Sequence, residues 1–235
     1  MGKEDMHLIW GSGSGPCWKA MIALAEKGFD DIEKTLIEFS KKGHKSKEVM
    51  ELNSRGQVPT FKDGDIIVNE SMAICLYLEK AYPNSGTKLL PEEVADYAKV
   101  IQLAIEAQEN LNMKIMIKCI YFTWMTPEEK REGKEFIEAF ENNIKDLKEE
   151  LKIWEKHVKE SESGHVGGKA FSLADVVLYT FVAYLVRFGS SLDDYPNLLK
   201  YYKNLGERPS IAKTFPPHWK EGPLEGKKLL FKGAL

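Results

Sequence analysis

The chain has 235 residues, 43 % of them hydrophobic and 29 % charged, with a formal net charge of −3. That length suits one large domain or two small ones, and the near-neutral balance gives no electrostatic reason to expect nucleic acid or an anionic membrane as partner. The three cysteines, Cys17, Cys75 and Cys119, form no CxxC pair and have no zinc-ligand spacing, so neither a metal site nor a disulfide framework is expected. Met1-Gly2-Lys3-Glu4-Asp5 is charged rather than signal-like, and Met6 stands where a myristoylation signal needs Ser or Thr. The longest apolar run, Val176 to Val186, is about half of the roughly 20 residues that span a bilayer. The expected location is the cytoplasm.

In chain order, His7–Trp10 reads as a short strand, followed by a Gly/Ser turn. Pro16 then opens a helix to about Lys27. Glu33–Glu38 alternates like a half-buried strand, and Ser46–Leu52 reads as a short helix. Val58–Lys62 and Ile66–Val68 flank Asp63-Gly64, a hairpin signal, and Ser71–Tyr82 is a further helix. Pro83-Asn84-Ser85-Gly86 and Pro91 break the pattern. Helical periodicity follows over Glu92–Met125, Pro127–Glu160, Ser172–Phe188 and Pro196–Glu207, and the tail from Phe215, with Pro216, Pro217 and Pro223, reads as irregular. The order β-α-β-α-β-β-α and then helices predicts an α/β domain over 1–83, a linker over 84–91 and an all-helical domain over 92–235.

Three stretches carry chemistry. Trp10-Gly11-Ser12-Gly13-Ser14-Gly15-Pro16-Cys17 joins the first strand to the first helix in the frame of the thioredoxin W-C-G-P-C-K pattern, with Ser14 where the attacking cysteine would stand. A helix N-terminus favours negative charge and so can hold a thiolate, which here must come from a ligand. Gln57-Val58-Pro59 precedes the hairpin. Pro59 is a candidate cis proline that would present the Val58 backbone for pairing with an extended peptide. Asn69-Glu70-Ser71 opens a helix: Ser71 is the expected cap, the free N–H groups suit a carboxylate, and Glu70 suits an ammonium. Together these are the parts of a γ-Glu-Cys-Gly binding groove.

On these residues, with the His44-Lys45-Ser46 loop and Phe171-Ser172-Leu173-Ala174-Asp175, nearly the whole chain resembles the cytosolic glutathione transferases. Trp10-Gly11-Ser12-Gly13-Ser14, Asn53-Ser54-Arg55-Gly56-Gln57 and Arg208-Pro209-Ser210-Ile211 look most like the rho class, near the serine-type theta and delta classes. The resemblance implies a thioredoxin-like glutathione-binding domain, a helical domain contributing the hydrophobic substrate site, and a homodimer. Glutathione would be a cosubstrate, with no prosthetic group. Its thiolate would attack small apolar electrophiles. Ser14 would hydrogen-bond the sulfur, with Ser12 as the alternative. His44 and Lys45 would meet the glycine carboxylate, Gln57 and Val58 the cysteinyl unit, and Glu70 and Ser71 the γ-glutamyl end.

Met113, Met116, Tyr121, Phe122, Trp124 and Met125 cluster at the end of the first long helix, and Phe215 and Trp219 lie in the tail. Met116, Tyr121, Trp124, Phe215 and Trp219 are the candidates for the electrophile site, since methionine and flat aromatic rings suit varied apolar ligands. Ser172 and Asp175 form a capping box with a structural role, as does Pro59. His7, His157, His165 and His218 receive no role. Two rival readings are a thiol–disulfide oxidoreductase using Cys17 and a non-catalytic structural or docking module.

Overall fold

The computed structural model describes residues 3–222, 224 and 229–235. Met1, Gly2, Pro223 and residues 225–228 lie outside the described residues. The chain divides into two compact units, Met1–Leu90 with Arg208–Gly222, and Pro91–Glu207 with Pro223–Leu235.

The first unit holds β1 (Met6–Gly11), α1 (Gly15–Glu26), β2 (Glu33–Ile37), α2 (Lys47–Leu52), β3 (Thr60–Asp63), β4 (Ile66–Asn69) and α3 (Ser71–Ala81). Its sheet runs in the order β2-β1-β3-β4. β1 pairs parallel with β2, Leu8 opposite Lys34, and antiparallel with β3, Leu8 opposite Phe61. The β3–β4 hairpin turns at Gly64, whose φ of 58° the Asp63-Gly64 signal anticipates. Leu8, Ile22, Leu24, Phe61, Ile74, Cys75 and Leu78 are fully buried, so α1 and α3 close the core against the sheet.

Two differences from the expected domain division have physical causes. The segment read as a linker is tied to the first unit: the Glu79 carboxylate accepts the N–H groups of Leu89 and Leu90 at 3.0 and 3.3 Å, and Thr87 N–H donates to the Glu26 carbonyl at 2.8 Å. Glu79 in turn pairs with buried Lys27 at 2.6 Å. Arg208–Gly222, read as part of a helical domain over 92–235, also belongs to the first unit. It contains α9 (Pro209–Thr214), preceded by Arg208, whose guanidinium forks onto Glu26 at 2.6 and 2.8 Å. Ser210 donates to the same carboxylate, and the Trp18 indole N–H donates to Thr214 Oγ1 at 3.0 Å.

The second unit holds α4 (Val94–Glu106), a π-helix (Ala107–Tyr121), α5 (Phe122–Met125), α6 (Lys134–Lys159), α7 (Leu173–Arg187) and α8 (Pro196–Gly206). A continuous α-helix over Glu92–Met125 is therefore not what forms, since hydrophobic spacing does not distinguish helix types. The wider turns are stitched to α6 by Lys114–Glu150 and Lys118–Asp146 pairs at 3.0 and 2.9 Å. The Asn143 amide donates to the Lys118 carbonyl at 2.7 Å. The expected helix over Pro127–Glu160 starts late, at Lys134, after Gly133 and a short turn over Glu128–Lys130. α7 is buried from Leu173 to Leu185, and its capping box forms. Asp175 accepts from Ser172 N–H, Val166 N–H and the Tyr201 hydroxyl at 2.9, 2.8 and 3.1 Å. Among the described residues no helix is long and apolar enough to cross a membrane.

Candidate functional site

The site grows from the turn between β1 and α1. Gly13 has a φ of +76°, a conformation open chiefly to glycine, and this bends the chain so that Ser14 becomes the N-cap of α1. Ser14 Oγ accepts the Cys17 N–H at 3.3 Å, and Pro16 occupies the first turn as its fixed φ favours. The first turn of α1 carries no acidic residue, so its positive end is left for an anion.

Cys17 lies beneath this turn with no exposed surface. Burial pushes its thiol up to about 11, against the hydrogen bonds from Ser14 and from Gly11 N–H, the latter at 3.4 Å. A thiol held protonated and out of reach is a poor nucleophile, which removes the physical basis of the oxidoreductase reading.

Val58–Pro59 is cis, and β3 begins at Thr60. The turn before it is organised by Asn53, whose amide donates to the Gln57 carbonyl at 2.9 Å while its oxygen accepts Arg55 N–H at 3.1 Å. The Val58 backbone makes no hydrogen bond within the chain among the described residues, and Val58 is half-buried. Lys45 Nζ donates to the Arg55 carbonyl at 2.8 Å, which brings the 44–45 turn against this loop. His44 stacks obliquely on Phe39 at 5.6 Å, and its Nδ1 is buried with no partner among the described residues.

At the β4–α3 junction Asn69 donates to the Leu52 carbonyl at 3.0 Å, tying this corner to the end of α2. Glu70 has φ 71° and ψ 122°, a strained backbone for a residue with a side chain. It is Glu70, not Ser71, that stands at the N-cap, and its side chain does not cap. Ser71 is the first helical residue and is 6 % exposed. An exposed acid on a strained backbone ahead of uncapped N–H groups offers an acceptor for an ammonium beside donors for a carboxylate.

The five electrophile-site candidates fall into two groups. In the first unit Phe215 and Trp219 pack edge-on against Trp18 at 5.4 and 5.6 Å, directly below the glycine–serine turn. Trp219 Nε1 lies 3.3 Å from where a side chain on Gly13 would begin. In the second unit Met116 is buried, whereas Tyr121 and Trp124 are 41 % and 53 % exposed with rings 5.8 Å apart.

Two neighbours of the turn were not legible in the sequence. Phe39 lies across Gly11, where an added Cβ would meet its Cζ at 2.5 Å. His218 contacts Ser12 across 206 residues of chain, which no local pattern signals. Among the described residues no three metal-ligating side chains cluster.

A β-α-β-α-β-β-α sheet domain with serine in place of the reactive cysteine, followed in the chain by a helical unit, defines a thioredoxin-like protein whose own thiol is out of play. The model of the glutathione S-transferase N-terminal domain matches residues 14–81, and that of the C-terminal domain matches residues 116–214. Glutathione S-transferase A of Pleuronectes platessa is 44 % identical over 227 residues, covering 97 % of this chain and 98 % of its own. The crystal structure of a glutathione S-transferase from the Antarctic clam Laternula elliptica matches with a TM-score of 0.86 at 40 % identity, covering 99 % of this chain and all of its own. The structure of a glutathione S-transferase-I bound with lactoylglutathione matches with a TM-score of 0.71 at 27 % identity over 89 % of this chain and 98 % of its own. The chain belongs to the glutathione S-transferase family. It is an enzyme that takes glutathione as its cosubstrate.

Proposed function

We propose that the enzyme conjugates glutathione to small apolar electrophiles, with the Ser14 hydroxyl stabilising the attacking thiolate. The observation that carries this reading is Ser14 at the N-cap of α1, above a Cys17 too buried to react. The glutathione S–H gives its proton to solvent water, the thiolate forms a bond to an electrophilic carbon, and the leaving group departs with the electron pair. Lowering the thiol by about two pKa units needs roughly 2.7 kcal/mol. A hydroxyl donating to an anion contributes about 1.5–3 kcal/mol and a helix N-terminus about 0.3–1. A thiolate is also a stronger acceptor than the neutral Cys17 thiol that the hydroxyl meets in its absence.

Along the groove, the unpaired Val58 backbone takes the cysteinyl unit with Gln57 beside it. Glu70 takes the ammonium, and Ser71 the carboxylate, of the γ-glutamyl end. His44, through its unpartnered Nδ1, and Lys45 hold the glycine carboxylate. Phe215 and Trp219, packed against Trp18 beside the glycine–serine turn, supply an apolar surface for the electrophile. Met116, Tyr121 and Trp124 are the helical unit's own candidates for that role. The rho-like stretches Trp10-Gly11-Ser12-Gly13-Ser14, Asn53-Ser54-Arg55-Gly56-Gln57 and Arg208-Pro209-Ser210-Ile211 support a rho-class assignment within the family. Three free cysteines support a reducing, cytoplasmic setting. A homodimer, which the family resemblance implies, is to be read by sedimentation.

The test is turnover of a chlorinated nitrobenzene with glutathione, after retention on immobilised glutathione. Conjugation that falls sharply in Ser14→Ala while retention persists is the expected result. Retention without turnover in the wild type returns the reading to a docking module.

A further inference from the structure

The turn between β1 and α1 contains two serines among three glycines, and either hydroxyl could swing toward a ligand sulfur. The structure holds them differently. Ser12 Oγ is hydrogen-bonded to His218 Nδ1 at 2.7 Å, while Ser14 Oγ sits on the α1 N-terminus, where it accepts Cys17 N–H at a long 3.3 Å and meets the neutral Cys17 thiol. The His218 ring also covers Gly13: a Cβ added there would meet Cε1 at 2.5 Å and Nε2 at 3.0 Å. One imidazole therefore engages the first serine by a short hydrogen bond and blocks, by contact, the hinge between the two.

The ring is rigidly presented. His218 lies in a short turn over Pro217–Trp219, closed by Trp219 N–H to the Pro216 carbonyl at 3.0 Å. Its neighbour Trp219 is 9 % exposed and wedged between Trp18 and Phe215 at 5.6 and 5.7 Å. Trp18 is bonded to Thr214, and Arg208 is forked onto Glu26 at the start of the same segment. All of these residues belong to the first unit. The segment thus clamps α1 at both ends and sets the imidazole on the turn.

We propose that His218 is a positioning residue that holds the Ser12 hydroxyl away from the sulfur, so that Ser14 alone takes the thiolate. This rests on the serine reading of the preceding section and adds the group that decides between the two serines. It also makes an unusual demand: removing His218 should partly rescue the loss of Ser14, because it frees Ser12 to reach the sulfur in its place.

The experiment titrates the ultraviolet absorbance of enzyme-bound glutathione thiolate in Ser14→Ala, Ser14→Ala/His218→Ala, and the triple variant that also carries Ser12→Ala. Ser14→Ala should lose most of the thiolate signal at neutral pH. The double variant should regain part of it, its midpoint falling back by about half a unit or more. The triple variant should lose it again. His218→Asn in the Ser14→Ala background should give no rescue, because an amide near the Nδ1 position still engages Ser12. Should His218→Ala disturb folding, His218→Val keeps a larger side chain in the turn yet removes both the ring over Gly13 and the partner of Ser12, and rescue is expected there too. A histidine that served only to pack the tail would make the double variant equal to or worse than Ser14→Ala. That result, with glutathione still bound, overturns the proposal and leaves the serine reading standing. A full thiolate signal in Ser14→Ala alone overturns both.

Discussion

Glu70 is the residue at which stability and binding should separate. Its φ of 71° and ψ of 122° are held at the start of α3 without a capping hydrogen bond from its own side chain. Such a conformation costs on the order of 1–3 kcal/mol in a residue with a Cβ and little in glycine. Glycine also loses about 0.5–1 kcal/mol more backbone entropy than alanine on folding. Glu70→Ala removes the carboxylate and keeps the strain, whereas Glu70→Gly removes both. Glu70→Gly should therefore be more stable than Glu70→Ala by about 1 kcal/mol, or about 2–4 °C in a chain of this size. The carboxylate is exposed, so its bond to a ligand ammonium lies at the low end of about 1.5–3 kcal/mol. Both variants should raise KM for glutathione about tenfold with kcat near wild type, the mark of uniform binding. Thermal melts beside steady-state kinetics test both halves. A Glu70→Gly variant no more stable than Glu70→Ala would refute the strain. An unchanged KM would place the γ-glutamyl end elsewhere.

Cys17→Ala should conjugate within a few-fold of wild type, and the native protein should show no fast-reacting thiol, because burial pushes Cys17 up to about 11 and Cys75 and Cys119 up to about 12. A hundredfold loss of activity with the fold intact would restore the oxidoreductase reading. Arg208→Ala should destabilise the protein by about 3 kcal/mol at neutral pH, since it strands a buried Glu26. Burial alone would raise the Glu26 carboxyl, but the hydrogen bonds from Arg208, Ser210 and Thr87 outweigh it and hold the group below its ordinary value. That stabilisation is present above the unfolded pKa of about 4.3 and is lost as pH falls through the lower folded value. The deficit of Arg208→Ala should thus shrink in melts below about pH 4. A deficit that persists unchanged in acid would contradict the pairing.

The parts legible in the sequence were those governed by local chemistry. Pro16 and the glycines marked the turn into α1, Asp63-Gly64 marked the hairpin, and Ser172 with Asp175 marked the start of α7. The parts that were not depend on partners far away in the chain. Arg208–Gly222 reads as an appendage of the helical region until Glu26, Trp18 and Thr214 are seen to bind it to the first unit. The π-helical turns after Ala107 share their apolar spacing with an α-helix and differ from it in the wider i→i+5 backbone hydrogen bonding, which side-chain patterning does not report. Ser71 looked like the cap because serine commonly caps helices. The backbone instead gives that position to Glu70 in a conformation that side-chain preference alone would not choose. His218 stayed invisible for the same reason as the tail that carries it.

The most direct test of the central claim is the pH titration of bound thiolate in wild type and Ser14→Ala. In the wild type the midpoint should lie well below the roughly 8.5 of a free cysteine thiol. In Ser14→Ala it should rise by about one unit for each 1.36 kcal/mol that the hydroxyl contributed, with glutathione still bound. Coincident midpoints in the two proteins would mean that the helix N-terminus suffices and that Ser14 does not activate the thiol.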